Sequence, residues 1–276
     1  MKPLVIYHGN CADGFTSAWC FHHSNPDAYD FHAGVYQQDP PNVDGRSVFL
    51  VDFSYKRPVV EKMLETAAKI TLLDHHKTAI DDLKPLLDSH AIDGIADVNH
   101  SGAMLAWQYL FRDREPPQLL KHVEDRDLWR FKLPNTREIQ STVFSYEYSF
   151  ETWDKLMATK VEELAKEGVA IERKHFKDIK ELLTLATRKM RIGGYVVPVA
   201  NLPYTMSSDA AHILAKDQPF AGCYYDGPKY RIFSLRSCPD GLDVAEIAAQ
   251  YGGGGHKHAS GFRYPLELVQ ELEVNS

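Results

Sequence analysis

The sequence predicts an α/β fold: a mostly parallel, doubly wound sheet, then a helical connector, then a smaller α/β unit. Three observations predict it. Short apolar, β-branched runs alternate with helix-spaced segments through the first half of the 276 residues, the pattern of strands covered on both faces by crossover helices. From about residue 150 to 190 these runs stop and Lys and Glu dominate. Beyond Gly193-Gly194 strand-like runs return, with a hairpin signal at Asp226-Gly227. The expected boundaries are therefore 1–149, 150–192 and 193–276.

In the first part, "LVIYH" (4–8), "SVFLVDF" (47–53), "KITLLDH" (69–75) and "GIADV" (94–98) read as buried strands, too short for independent helices. Helical spacing follows Asp13-Gly14 and recurs in "RPVVEKMLETAAK", where Pro58 suits a helix start. Ser101 caps a helix in "HSGAMLAWQYLF", and "PPQLLKHVEDRDLW" carries another. In the connector, Ile179, Leu182, Leu183 and Ala186 repeat at three and four, and Gly193-Gly194 is expected to stop that helix. The last part opens with the strand "YVVPVA", continues with a helix from Ser208 and a second hairpin strand "YRIFSLRS", and reaches the helix "DVAEIAAQY" and the run "GGGGHKHASGF".

A formal net charge of −7 argues against coating long nucleic acid by bulk electrostatics. The four cysteines, Cys11, Cys20, Cys223 and Cys238, have neither CxxC spacing nor disulfide density, so free thiols in a reducing cytosol are expected. No apolar stretch approaches membrane-spanning length. A cytoplasmic protein with no membrane association is the expectation.

Three of the first-half strands finish on metal-competent groups: His8, Asp52, and the pair Asp74-His75 followed by His76. In an open parallel sheet the strands' carboxyl ends share one edge, so these side chains should converge. Asp13, in the turn "NCADGF", would face the same edge, and "VEDRDLW" adds Asp125 and Asp127. Mixed imidazole and carboxylate donors suit manganese, iron, zinc or magnesium, and enough carboxylates to bridge suggest two ions. In "GGGGHKHASGF" the glycines expose backbone N–H groups to an anion, with His256 as a further donor. Arg236, ending "YRIFSLR", offers a forked donor for phosphate.

With these motifs in place, the sequence resembles, over nearly its whole length, the DHH phosphoesterases with a C-terminal DHH-associated domain, a group that includes RecJ-like exonucleases and nanoRNases. "LLDHHKT" is similar to the motif that names the family, "LVDFS" to its second-strand aspartate motif, "DLWRFKLPNT" to its fourth motif and "GGGGHKHASGF" to the glycine signature of the associated domain. The resemblance implies His8, Asp13, Asp52, His75 and Asp127 as metal ligands, Asp52 and Asp127 as bridges, Asp74 as the group that orients the site and His76 as the one that meets the substrate phosphate. It prefers Asp127 to Asp125, because Asp127 aligns with Phe131 and Asn135-Thr136 of the fourth motif. Arg236, Gly253, Gly254, Gly255 and His256 would hold the nucleotide.

One departure stands out. The family's first motif has a histidine followed by two aspartates, whereas "HGNCADG" keeps His8 and Asp13 and puts Cys11 where the other would fall. Cys11 as an unusual ligand, Asn10, or a water remain alternatives there. The implied activity is a metal-dependent phosphodiesterase with two Mn2+, Mg2+ being the other choice. It would cut short single-stranded oligonucleotides or dinucleotides to mononucleotides in the 3′-to-5′ direction, with a homodimer left open. Hydrolysis of cyclic dinucleotides or other small phosphoesters is the alternative within that chemistry. A non-catalytic nucleotide-binding regulator is the alternative outside it.

Overall fold

In a computed structural model that describes residues 1–9 and 11–274, the chain divides into two compact units, Met1–Glu172 and Arg173–Ser276. The first comprises β1 (Leu4–His8), α1 (Ala12–Ser24), β2 (Asp30–Gly34), β3 (Ser47–Val51), α2 (Arg57–Leu64), β4 (Lys69–Asp74), α3 (Lys77–Asp88), β5 (Asp93–Ala96), α4 (Gly102–Phe111), α5 (Gln118–Asp127), α6 (Thr136–Phe144) and α7 (Phe150–Ala158). The unit boundary falls within α8 (Val161–Ala186).

Five parallel strands form the first sheet in the order β2-β1-β3-β4-β5. Successive residues of a strand point to opposite faces, and both faces here are buried. Val5, Val51 and Leu73 join Phe15, Trp19, Trp107 and Trp153 in one core; Ile6, Leu50 and Leu72 join Phe53, Val60 and Leu83 in another. Continuous apolar strands are what two-sided burial requires. β2 was not expected from the sequence: Asp30 and His32 make it too polar to read as a buried run, as suits an edge strand that is largely exposed or half-buried.

The second unit carries β6 (Thr187–Ile192), β7 (Tyr195–Asn201), α9 (Ser207–Leu214), β8 (Ala221–Asp226), β9 (Tyr230–Arg236), α10 (Val244–Ala249), β10 (Gly254–His256) and β11 (Ala259–Pro265). Its sheet runs β10-β11-β9-β8-β7-β6, with only β7–β8 parallel. The expected run of Ile179, Leu182, Leu183 and Ala186 packs against Ala200, Ala210 and Cys223. Helix does not continue to Gly193, however. Residues 187–192 are β6, in which buried Met190 and Ile192 alternate with exposed Lys189 and Arg191, and Gly193-Gly194 is the hairpin turn into β7. The basic residues hid this period of two among the lysines of the connector. Among the described residues no helix is long and apolar enough to cross a membrane.

Candidate metal centre

β1, β3 and β4 are neighbours in the sheet and end at the same edge, which brings His8, Asp52 and the Asp74-His75-His76 run together. Asp52 follows β3 in a left-handed conformation, φ +52°, with its N–H donating to the Leu73 carbonyl at 2.9 Å. A non-glycine residue in that region is held there by its surroundings. Its carboxylate divides between two imidazoles: Oδ1 lies 3.1 Å from His75 Nε2, and Oδ2 lies 3.6 Å from His8 Nδ1.

Asp74 is fully buried, and its Oδ1 accepts from the backbone N–H of His75 at 2.8 Å and from that of His76 at 3.2 Å. The same oxygen is 2.7 Å from His76 Nδ1. Asp74 therefore fixes both the chain direction after β4 and the plane of the His76 ring.

Asp13 comes from the first turn of α1, yet its carboxylate serves another helix. Oδ2 accepts from Gly102 N–H at 2.7 Å and Oδ1 from Ala103 N–H at 3.1 Å, so Asp13 takes up two of the amides that the start of α4 leaves without helical partners. Oδ2 also lies 3.9 Å from His75 Nε2. Asp127, at the end of α5, places Oδ2 3.4 Å from the same nitrogen.

Three carboxylates thus surround one imidazole. Burial and the charges of Asp52 and Asp127 push the Asp13 carboxyl well above its ordinary range; burial, with Asp52, also raises that of Asp127. Burial would lower His75, but hydrogen bonding to Asp52 and the charges of Asp127, Asp52 and Asp13 carry it up to about 10. A proton on His75 there compensates negative charge that a cation would compensate better. Asp52 is 1% exposed, and its Oδ2 has no hydrogen-bond partner, nor does His8 Nδ1. A buried carboxylate oxygen left this way is costly unless something coordinates it. Oxygen and imidazole donors in this number fit a divalent metal.

The sequence assigned Asp127 and Asp125 on alignment, and the geometry separates them. Asp125 Oδ1 accepts from Lys132 N–H at 2.9 Å, and Oδ2 from Leu133 N–H at 3.1 Å and from the Thr136 hydroxyl at 2.6 Å. It is committed to the turn between α5 and α6. Cys11, the residue before α1, brings its sulfur within 4.8 Å of donor atoms of His8 and Asp52. Asn10 lies outside the described residues. In the second unit, Arg236 ends β9 with Nη2 donating to Ser208 Oγ at 2.8 Å. The glycine run is not a bare loop: Gly254, Gly255 and His256 form β10, paired with β11. Gly253 is required by close approach, since a Cβ there would meet the Gly261 carbonyl at 2.1 Å.

Sequence reading missed Gly102. A Cβ on it would meet Asp52 Cβ at 2.4 Å and Asp13 Oδ2 at 3.0 Å, so the bare backbone of α4 is what lets the two carboxylates sit side by side. The available signal was a glycine directly after the cap Ser101, where a helix gains nothing from it.

No protein-family profile matches the chain. In sequence it is 28% identical to protein R106 of Acanthamoeba polyphaga mimivirus over 97% of its own length. It is 27% identical to the oligoribonuclease NrnB of Bacillus subtilis over 81% of its length. The alignments span 70% and 61% of those two proteins. In structure it is similar to PggH, a pGpG-specific phosphodiesterase of Vibrio cholerae, with 15% identity, a TM-score of 0.51, and 98% and 96% of the two chains covered. It is also similar to RecJ of Thermus thermophilus, solved with Mn2+, with 15% identity and a TM-score of 0.52 over 98% of this chain and 50% of that one. The chain shares the fold of PggH and RecJ, and the Asp-His-His trio it carries at the end of β4 is the one described above.

Proposed function

We propose that this chain belongs to the DHH phosphoesterases and is a metal-dependent phosphodiesterase that hydrolyses short linear oligonucleotides or dinucleotides to mononucleotides from the 3′ end. The observation that carries the reading is the Asp52 carboxylate, which turns one oxygen to His75 and the other to His8, while Asp13 and Asp127 close on His75. Such a carboxylate suits a bridge between two divalent ions, with His8, Asp13, His75 and Asp127 as the remaining ligands. Ions of the Mn2+ or Mg2+ type, when bound, supply a water of lowered pKa and neutralise charge on a phosphoryl group.

The chain's own residues do the rest. Asp74 accepts from Nδ1–H of His76, which leaves Nε2 as the atom of that ring able to donate to a phosphate oxygen when the imidazole is protonated. Asp52, held by its backbone bond to Leu73 and by the close approach of Gly102, cannot swing away from the edge of the sheet. Arg236, steadied by Ser208, together with Gly253, Gly254, Gly255 and His256, would hold the nucleotide and orient its phosphodiester.

The substrate class draws support from the named activities of two similar proteins, an oligoribonuclease and a phosphodiesterase specific for pGpG, a linear dinucleotide. These favour linear over cyclic substrates. The test is hydrolysis of end-labelled oligonucleotides of graded length with Mn2+ or Mg2+, with cyclic dinucleotides and pyrophosphate as controls. Metal-stimulated release of mononucleotides, fastest on the shortest linear substrates, is expected. Preferential turnover of cyclic dinucleotides would replace the linear reading, and nucleotide binding with no hydrolysis under either metal would leave a regulator rather than an enzyme.

A further inference from the structure

The geometry points to Cys11 as a metal ligand in its own right: its thiolate joins His8 and Asp52 around one ion and gives that half of the centre a preference for thiophilic cations such as Zn2+ or Co2+. The inference rests on the metal-centre reading above and changes its chemistry. An imidazole nitrogen of His8, the Cys11 sulfur and a carboxylate oxygen of Asp52 all lie within 4.8 Å of one another. Donors bound to one ion at about 2.0 to 2.3 Å cannot be more than roughly 4.6 Å apart, so the trio is nearly closed on a single point.

Two further observations aim the group at a ligand. Asp52 Oδ2 is buried without a hydrogen-bond partner and faces His8 Nδ1, which also lacks one. Cys11 stands directly before α1, where its sulfur meets only the Gly14 amide of the first turn and makes no regular capping bond. Two of the other three thiols are engaged by backbone carbonyls. Cys20 donates to the Ala103 carbonyl at 3.8 Å and Cys238 to the Ala215 carbonyl at 3.6 Å. Burial and the carboxylates of Asp52, Asp127 and Asp13 hold the Cys11 thiol well above its ordinary range in the metal-free protein, so the sulfur gives up its proton only as an ion binds.

Carboxylate and water suit Mg2+ and Mn2+, whereas one thiolate shifts a mixed site toward zinc-like ions. As the sulfur–metal bond forms, the thiol proton passes to solvent. The two halves of the centre then differ: the His75 side, built of Asp13, Asp52 and Asp127, is all oxygen and nitrogen, and the His8 side holds sulfur.

The full chain, stripped of metal and titrated with Co2+, tests this without relying on turnover. The wild type should develop a near-ultraviolet thiolate-to-cobalt charge-transfer band and protect Cys11, but not Cys238, from alkylation. Cys11→Ser should lose the band. Cys11→Asp should lose it while still binding metal, with the preference for Zn2+ over Mg2+ reduced by at least about tenfold, the smallest loss usual for disturbing even a group behind a ligand. Circular dichroism confirms that both variants fold. Bound Co2+ with no band in the wild type, or a band that survives in Cys11→Ser, overturns the assignment of Cys11 alone. Failure of the wild type to bind any divalent ion overturns the metal-centre reading, and this inference with it.

Discussion

Asp125 and Asp127 are two residues apart on one helix turn but have different surroundings, and a pair of alanine variants separates the roles those surroundings predict. Asp125 accepts three hydrogen bonds, from Lys132 N–H, Leu133 N–H and the Thr136 hydroxyl. Bonds to a charged acceptor contribute about 1.5 to 3 kcal/mol each. Lys132 and Leu133 are exposed, so water can reach their amides and each counts below that range, while Thr136 is buried. Asp125→Ala should therefore destabilise by about 3 kcal/mol. For a unit the size of Met1–Glu172 that lowers Tm by about 6 to 12 °C. Asp127 faces His75 at 3.4 Å and is raised by burial and by Asp52. Removing it ends the burial of a carboxylate that its attraction to His75 does not fully offset in the metal-free protein, so Asp127→Ala should melt at the wild-type temperature or above while metal binding and nucleotide hydrolysis are abolished. Asp125→Ala should keep a measurable rate below its lowered Tm. Differential scanning calorimetry, metal analysis and the oligonucleotide assay read all three quantities. An Asp125→Ala variant that melts like the wild type and loses metal, with an active Asp127→Ala, would refute the division of labour.

Three further outcomes are expected. Gly102→Ala should cost about 1 to 3 kcal/mol through overpacking, and because its methyl meets Asp52 and Asp13 first, metal affinity by titration should fall even where the fold survives. His122 is buried, which lowers its pKa; below about pH 6.5 the unfolded chain takes up a proton that the folded histidine refuses, so stability should decline as pH falls through that value. Tm measured from pH 7.5 to 5 should decline less steeply in His122→Gln, and an equal slope would count against the assignment. Arg236→Ala should raise KM for short oligonucleotides more than it lowers kcat, as expected of a group that binds and orients; steady-state kinetics with unchanged KM would leave that arginine a purely local role beside Ser208.

Much of the candidate site's edge was legible because parallel strands write themselves plainly: an apolar run needs no polar residue at its end, so His8, Asp52 and Asp74-His75-His76 stood out against their own strands. The fold of the first sheet followed from the same runs. What escaped had no such contrast. β2 is an edge strand with polar residues on it, β6 alternates with basic residues inside a lysine-rich stretch, and the glycine run pairs as β10 because backbones approach closely there. Gly102 acts across 89 residues and the Thr136 hydroxyl across 11, neither of which a helix or strand period encodes. The split between Asp125 and Asp127 came from a motif, and only the three donors around Asp125 give it a physical reason.

The bond from Gly102 to Asp13 closes a loop of 89 residues. As the chain is synthesised, Asp13 is made early and its helix amides much later, after all four of the strands that follow β1 in the first sheet, with α2 and α3, have been laid down. Until then nothing fixes the Asp13 carboxylate, and bringing it to Gly102 carries the loop-closure entropy of that whole stretch. A truncated or newly emerging chain lacking α4 would therefore hold the acidic and imidazole groups without their arrangement, and cations would find the finished unit rather than its precursors.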